Sequence, residues 1–214
     1  KGSEKLLWSH DLMGEYKGTV RVNGYACSPL VYRDTVIMQV GGSGNALMAF
    51  RQKDGSVAWK RHDFRNSPSS PLLVNVDGQD QLVAFMYDTL VGVDPAGGEL
   101  LWSHPHVSEF GLNVSTPVWG EGNLLFVSSS YGGGSRGLRL RRAAGKASAQ
   151  EVWAHALVRV HYGNAYVNAF WQDSCFCMTY GDGASNAKPL TSIDVAAHEM
   201  THGLTSVTAK LVYS

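Results

Sequence analysis

Four tryptophans, each directly preceded by an apolar residue, punctuate the chain at Leu7-Trp8, Ala58-Trp59, Leu101-Trp102 and Val152-Trp153. A glycine turn comes just ahead of the last three: Asp54-Gly55-Ser56, Ala96-Gly97-Gly98 and Ala144-Gly145-Lys146. Serine-proline or threonine-proline steps head apolar runs at Ser28-Pro29, Ser70-Pro71 and Thr116-Pro117. The same punctuation therefore recurs with a period in the forties. A unit of that size cannot bury its apolar face alone and must stack on its neighbours, which confines the first part of the chain to repeat architectures.

Within each period the apolar runs are short. Val36–Val40, Leu82–Met86 and Leu124–Val127 read as buried strands, followed by second runs at Ala46–Phe50, Thr89–Asp94 and the weaker Gly137–Leu140. A third strand after each glycine turn ends on the tryptophan. Three or four antiparallel strands per period describe a β-propeller blade. A content of 24 glycines among 214 residues fits such a turn-rich, mainly β fold. The run Leu90-Val91-Gly92-Val93-Asp94-Pro95-Ala96-Gly97-Gly98-Glu99-Leu100-Leu101-Trp102 resembles the repeat of pyrroloquinoline-quinone-type propellers. The likeness extends over residues 1–155 and implies about three blades of an incomplete β-propeller. Its tryptophans are expected to pack between blades. Asp94, His104 and His106 are expected to be structural or solvated loop residues, and the basic cluster Arg136–Arg142 a solvated loop or strand edge. Many such propellers bind protein partners rather than quinone, and fold does not give function. No calcium-quinone constellation is visible, so a quinone-dependent dehydrogenase ranks last.

The tryptophan period stops after Trp153. Asn168-Ala169-Phe170-Trp171, Tyr180-Gly181-Asp182-Gly183 and Pro189 then lead into Thr191-Ser192-Ile193-Asp194-Val195-Ala196-Ala197-His198-Glu199-Met200-Thr201-His202. Ile193, Ala197, Met200, Leu204, Val207 and Leu211 are spaced by three and four, which predicts an amphipathic helix, and Thr191 with Asp194 forms a capping-box signal at its start. On that helix His198 and His202 lie one turn apart on one face, the spacing that lets two imidazoles hold Zn²⁺ at ~2.0–2.1 Å. Glu199 lies about 100° around the helix from the first histidine, where it reaches a water beside the metal without ligating it.

Together these segments, with Thr208-Ala209-x-Leu211-x-Tyr213, resemble the thermolysin-like zinc metallopeptidases. The resemblance implies a partial α+β peptidase domain at 160–214 ending in the zinc-binding helix, with the boundary to the propeller between 154 and 166. It implies His198 and His202 as zinc ligands, Glu199 as catalytic base, Asn168 and Ala169 as substrate-backbone contacts, and Tyr213 near the active site. Asp194 matches a calcium ligand of the family, and a helix cap is an equally supported role. Trp171 and Tyr180 stand further apart than is usual in the family. Cys175 and Cys177 fall between them and are read as a local loop feature rather than metal ligands.

A catalytic zinc takes three protein ligands. The family's third is a glutamate on the next helix, and Gly203–Ser214 contains no Asp, Glu, His or Cys. Thr205 and Thr208 occupy the positions where metzincins carry glycine and histidine, so that pattern fails. The expected function is zinc endopeptidase chemistry on peptide or protein substrates, inactive in this chain as it stands. The alternative is a propeller scaffold for a protein partner. A formal net charge of zero gives no argument for nucleic acid, and no apolar run approaches the ~18 residues of a membrane span. The family implies an extracellular or periplasmic location. The opening Lys1-Gly2-Ser3 carries no methionine or signal-peptide pattern, as expected of a mature form or a piece of a longer protein.

Overall fold

The computed structural model describes residues 5–19, 24–129, 132–155, 158–162, 169–172 and 177–181, the last of these from 155 onward as backbone. The chain divides into two compact units, Lys1–Ala154 and His155–Ser214.

The first unit opens with a short helix, α1 (Leu12–Tyr16). Asp11 caps it by accepting from the N–H groups of Met13 and Gly14, and Lys17 ends it in the left-handed region at φ 54°. Three four-stranded sheets follow. The first is β1 (Leu30–Tyr32), β2 (Thr35–Gln39), β3 (Leu47–Arg51) and β4 (Val57–Arg61). The second is β5 (Leu72–Val76), β6 (Gln79–Phe85), β7 (Thr89–Val93) and β8 (Leu100–Pro105). The third is β9 (Val118–Gly120), β10 (Leu124–Ser129), β11 (Gly134–Ala143) and β12 (Lys146–His155). In each sheet the spatial order follows the chain order. Each is thus an antiparallel meander, the form of a propeller blade, and the chain is mainly β with three such blades.

Turn chemistry sets the registers. Asp77-Gly78 joins β5 to β6 and Ala144-Gly145 joins β11 to β12, and both residues of each pair have positive φ (49° and 84°, 50° and 77°), as a two-residue hairpin turn of the primed type requires. Just before two of the tryptophans the outer strand carries an extra residue. Ala49 faces Trp59 while Phe50 faces Val57, and Gly92 faces Trp102 while Val93 faces Leu100. The bulge tilts the indole over its small partner.

Sheet-to-sheet packing makes the core. Leu82, Ala84, Val91 and Val93 of the second sheet pack with Ile37, Leu47, Ala49 and Trp59 of the first. Val83, Phe85, Leu90 and Trp102 on its other face pack with Leu125, Val127, Leu138 and Leu140 of the third. The second sheet is buried on both faces, which is why Leu82–Phe85 reads as an unbroken apolar run rather than an alternation. Each fully buried Leu or Phe contributes on the order of 1.5–3 kcal/mol. Trp59 spans the gap, donating its indole N–H to Pro95 O at 3.2 Å, the expected packing between blades. Trp102 instead donates to the buried Gln81 Oε1 of its own sheet at 2.7 Å.

Two expectations change. The basic cluster is neither loop nor edge: Arg136–Arg142 lies within β11, an inner strand of ten residues, because Leu138 and Leu140 alternate with the arginines and bury against the second sheet. His104 belongs to β8, and His106, just beyond it, is only 1% exposed. Asp94 is structural, its carboxylate accepting from the N–H of Ala96 at 3.0 Å.

Candidate active site

In the second unit three strands form one sheet: β13 (Val158–Tyr162), β14 (Ala169–Gln172) and β15 (Cys177–Gly181), in the order β13-β15-β14. β15 is central. It pairs parallel with β13, where Val158 faces Met178 and Arg159 faces Thr179, and antiparallel with β14, where Ala169 faces Tyr180 and Gln172 faces Cys177. Apolar and β-branched residues dominate Val158-Arg159-Val160 and Phe170-Trp171, as strands require.

Of the residues singled out in the sequence, Ala169 is placed at the start of the edge strand β14. Cys177 is the first residue of β15 rather than a loop residue. His198, Glu199, His202, Asp194, Asn168, Tyr213 and Cys175 lie outside the described residues. Among the described residues no group of three His, Cys, Asp or Glu side chains could hold a metal ion. The two imidazoles that the sequence motif offers to zinc, His198 and His202, are not among the residues so described. They are of the right type and spacing for two of the three protein ligands of a catalytic site.

The first unit holds a polar cluster that sequence reasoning missed. It lies where β8, β10, β11 and β12 come together. His104 Nε2 sits 3.2 Å from Glu151 Oε2, which also faces Arg136 Nε at 3.5 Å. Arg136 Nη1 donates to Gly133 O at 2.6 Å. His106 Nε2 meets Ser129 Oγ at 2.6 Å, and its ring stands edge-on to Phe85 with centroids 4.7 Å apart. Burial first, then the charges of Arg136 and His104, push the His106 pKa down to about 4. His106 is thus neutral at ordinary pH. The cluster is a set of inter-strand ties: charge is paired, and the imidazole is enclosed by Ser129, Phe85 and Gly133. The signal in the sequence was weak, because His104-Pro105-His106 follows a strand and reads as the start of a loop.

Comparison with known proteins bears on the second unit and on the end of the first. Residues 103–206 match the family described as thermolysin metallopeptidase, catalytic domain. The matched span takes in the third sheet as well as part of the second unit. The chain is 53% identical over 105 residues to the transglutaminase-activating metalloprotease of Streptomyces mobaraensis, covering 47% of this chain and 14% of that protein. It is 55% identical over 56 residues to the neutral protease of Vibrio proteolyticus, covering 26% of this chain and 9% of that protein. The chain thus spans a small part of the relatives it matches. Among solved structures, BamB from Moraxella catarrhalis aligns with a TM-score of 0.39 at 14% identity, over 72% of this chain and 42% of that one. A quinohemoprotein alcohol dehydrogenase from Pseudomonas putida HK5 aligns with a TM-score of 0.40 at 12% identity, over 74% and 37%.

Proposed function

We propose that residues 160–214 are the zinc-binding half of a metalloendopeptidase catalytic domain, joined to propeller blades over residues 1–155. The observation that carries this reading is the pair His198 and His202 with Glu199 between them, inside a span that matches the thermolysin catalytic domain. His198 and His202 would hold the metal through their ring nitrogens. Bound zinc polarises a peptide carbonyl and acidifies a water. Glu199 would serve as general base toward the attacking water and as general acid toward the leaving amine. Ala169 heads an edge strand, with Asn168 before it. A strand there has backbone groups able to pair with an extended peptide, so substrate is held by its main chain. Tyr213 matches the family's tyrosine near the active site. Asp194 either caps the helix or ligates calcium. Substrates are peptides or proteins, and the setting is extracellular or periplasmic.

His198 and His202 supply two of the three protein ligands that a catalytic zinc takes. A second reading, a protein-binding propeller scaffold, is favoured by the apolar side chains at the β8–β9 connection, where Val107 is 65% and Val114 63% exposed. Zinc content and casein cleavage by the purified chain separate the two. A tightly held zinc with cleavage lost on Glu199→Gln rules out the scaffold-only reading. Neither zinc nor cleavage supports it.

A further inference from the structure

Residues 5–11 repeat the sequence of β8 almost letter for letter. Lys5-Leu6-Leu7-Trp8-Ser9-His10-Asp11 stands against Glu99-Leu100-Leu101-Trp102-Ser103-His104-Pro105. Their packing is that of an outer strand as well. Trp8 donates its indole N–H to Gln52 O at 2.8 Å, and a Cβ on Gly55 would lie 2.7 Å from its ring. Trp59 of β4 does the same to the next sheet, donating to Pro95 O, with its ring 2.6 Å from the position of a Cβ on Gly98. In both cases the accepting carbonyl precedes the glycine by three residues, and a histidine follows the tryptophan onto that glycine: His10 Nε2 lies 2.8 Å from Gly55 O and His62 Nε2 lies 2.7 Å from Gly98 O. Trp8 therefore stands to the first sheet as Trp59 stands to the second.

β4 and β8 each pair with an inner strand. Residues 5–10 pair with no strand among the described residues. Leu6 and Leu7 are 77% and 69% exposed, against 45% for Leu100. The first sheet's outer face is correspondingly open. Val36 and Met38 are only half-buried, whereas Leu82 and Ala84, their counterparts in the second sheet, are fully buried under the first. Trp8, Leu12 and Tyr16 pack on the Val40, Met48 and Phe50 part of that face, with Met38 half-buried beside them and Val36 outside the cluster.

We propose that Leu6–His10 and the Val36–Met38 face together form a docking surface for a further three-stranded antiparallel sheet of this chain's own repeat type. The incoming sheet pairs its last strand antiparallel with Leu6–His10. It carries glycine or alanine opposite Trp8, as Ala49 faces Trp59 and Gly92 faces Trp102. It lays an apolar face over Val36 and Met38. Burial of Leu7 and pairing of an open strand edge drive the association.

The test uses the full chain extended at its start, with a second copy of Ser70–Glu99 joined directly to Leu6 in place of residues 1–5. Hydrogen exchange is followed at the amides of Leu6–His10, with those of β2 and β3 as the monitor of folding. The expected result is exchange slowed at least roughly 100-fold relative to the unextended chain. The same extension carrying Leu in place of the copied Gly92, and the extension on a Met38→Arg background, are expected to give no slowing. Met38→Arg without the extension is expected to leave β2 and β3 protected. Unslowed exchange at Leu6–His10 in the first extension overturns the proposal, and so does equal slowing in the Gly92→Leu control.

Discussion

His106 Nε2 lies 2.6 Å from Ser129 Oγ, and this contact ties the end of β8 to the end of β10 across the boundary of the second and third sheets. Its partners explain its chemistry. The imidazole is buried, sits close to Arg136 and His104, and cannot take up a proton without a cost in solvation.

A pH dependence of stability follows. The folded pKa of His106, about 4, lies below the unfolded value near 6.5. Between those values the unfolded chain binds more protons, so stability rises with pH. The contribution is fully present above pH ~6.5 and is lost as pH falls through about 4, a change of up to roughly 3 kcal/mol. His10 acts in the opposite sense. Its hydrogen bond to Glu15 raises its pKa, so its contribution is present below the unfolded value and fades as pH rises through the folded one. Urea unfolding at a series of pH values is expected to show a decline below pH ~6.5 that is largely absent in His106→Asn. An unchanged decline in that variant would assign it to other groups.

Gly98 and Gly145 have the same backbone φ of 77° but different surroundings. A Cβ on Gly98 meets the Trp59 ring at 2.6 Å, whereas one on Gly145 meets nothing within 4 Å. Gly145→Ala is expected to cost about 1–2 kcal/mol, from the left-handed backbone alone. Gly98→Ala adds overpacking of about 1–3 kcal/mol. Equal losses in denaturant melts would mean that Trp59 does not lean on Gly98.

Trp102 and the fully buried Gln81 satisfy one another. Trp102→Phe leaves the Gln81 amide oxygen without its donor and is expected to cost about 1–3 kcal/mol beyond lost packing. The double variant Trp102→Phe/Gln81→Leu is expected to lose less than the sum of the two single changes, the sign of a shared bond. Additive losses would refute the coupling.

For the metal, competition with a chromophoric chelator reads the affinity directly. His202→Ala is expected to weaken zinc binding by more than the roughly 10–100-fold that losing an outer-sphere partner costs. Glu199→Gln is expected to leave the affinity nearly unchanged, since the role proposed for that residue is general base rather than ligand. A loss on Glu199→Gln equal to that on His202→Ala would make the glutamate a ligand.

The first unit was legible in the sequence because its signals are local. Asp77-Gly78 sets a hairpin through its own φ angles, and the runs Leu82–Phe85 and Leu90–Val93 announce strands buried on both faces. The chemistry proposed for the second unit rests on equally local signals: His198 and His202, four positions apart, form a donor pair on a helix expected from the sequence. What the sequence left undecided was pairing over distance. The tryptophans look alike in the chain, yet Trp59 bonds the next sheet and Trp102 bonds Gln81 in its own. The ten-residue length of β11 read as a weaker, shorter run because its arginines interrupt the apolar pattern, and only packing of Leu138 and Leu140 against the second sheet fixes it as an inner strand. His106 read as a loop residue because nothing within a few positions of it reports burial. That it is enclosed and neutral is decided by Ser129, Phe85 and Arg136, which the fold alone brings to it. Local backbone preference is written in neighbouring residues, whereas desolvation and charge proximity depend on which strands meet, and those are properties of the tertiary structure.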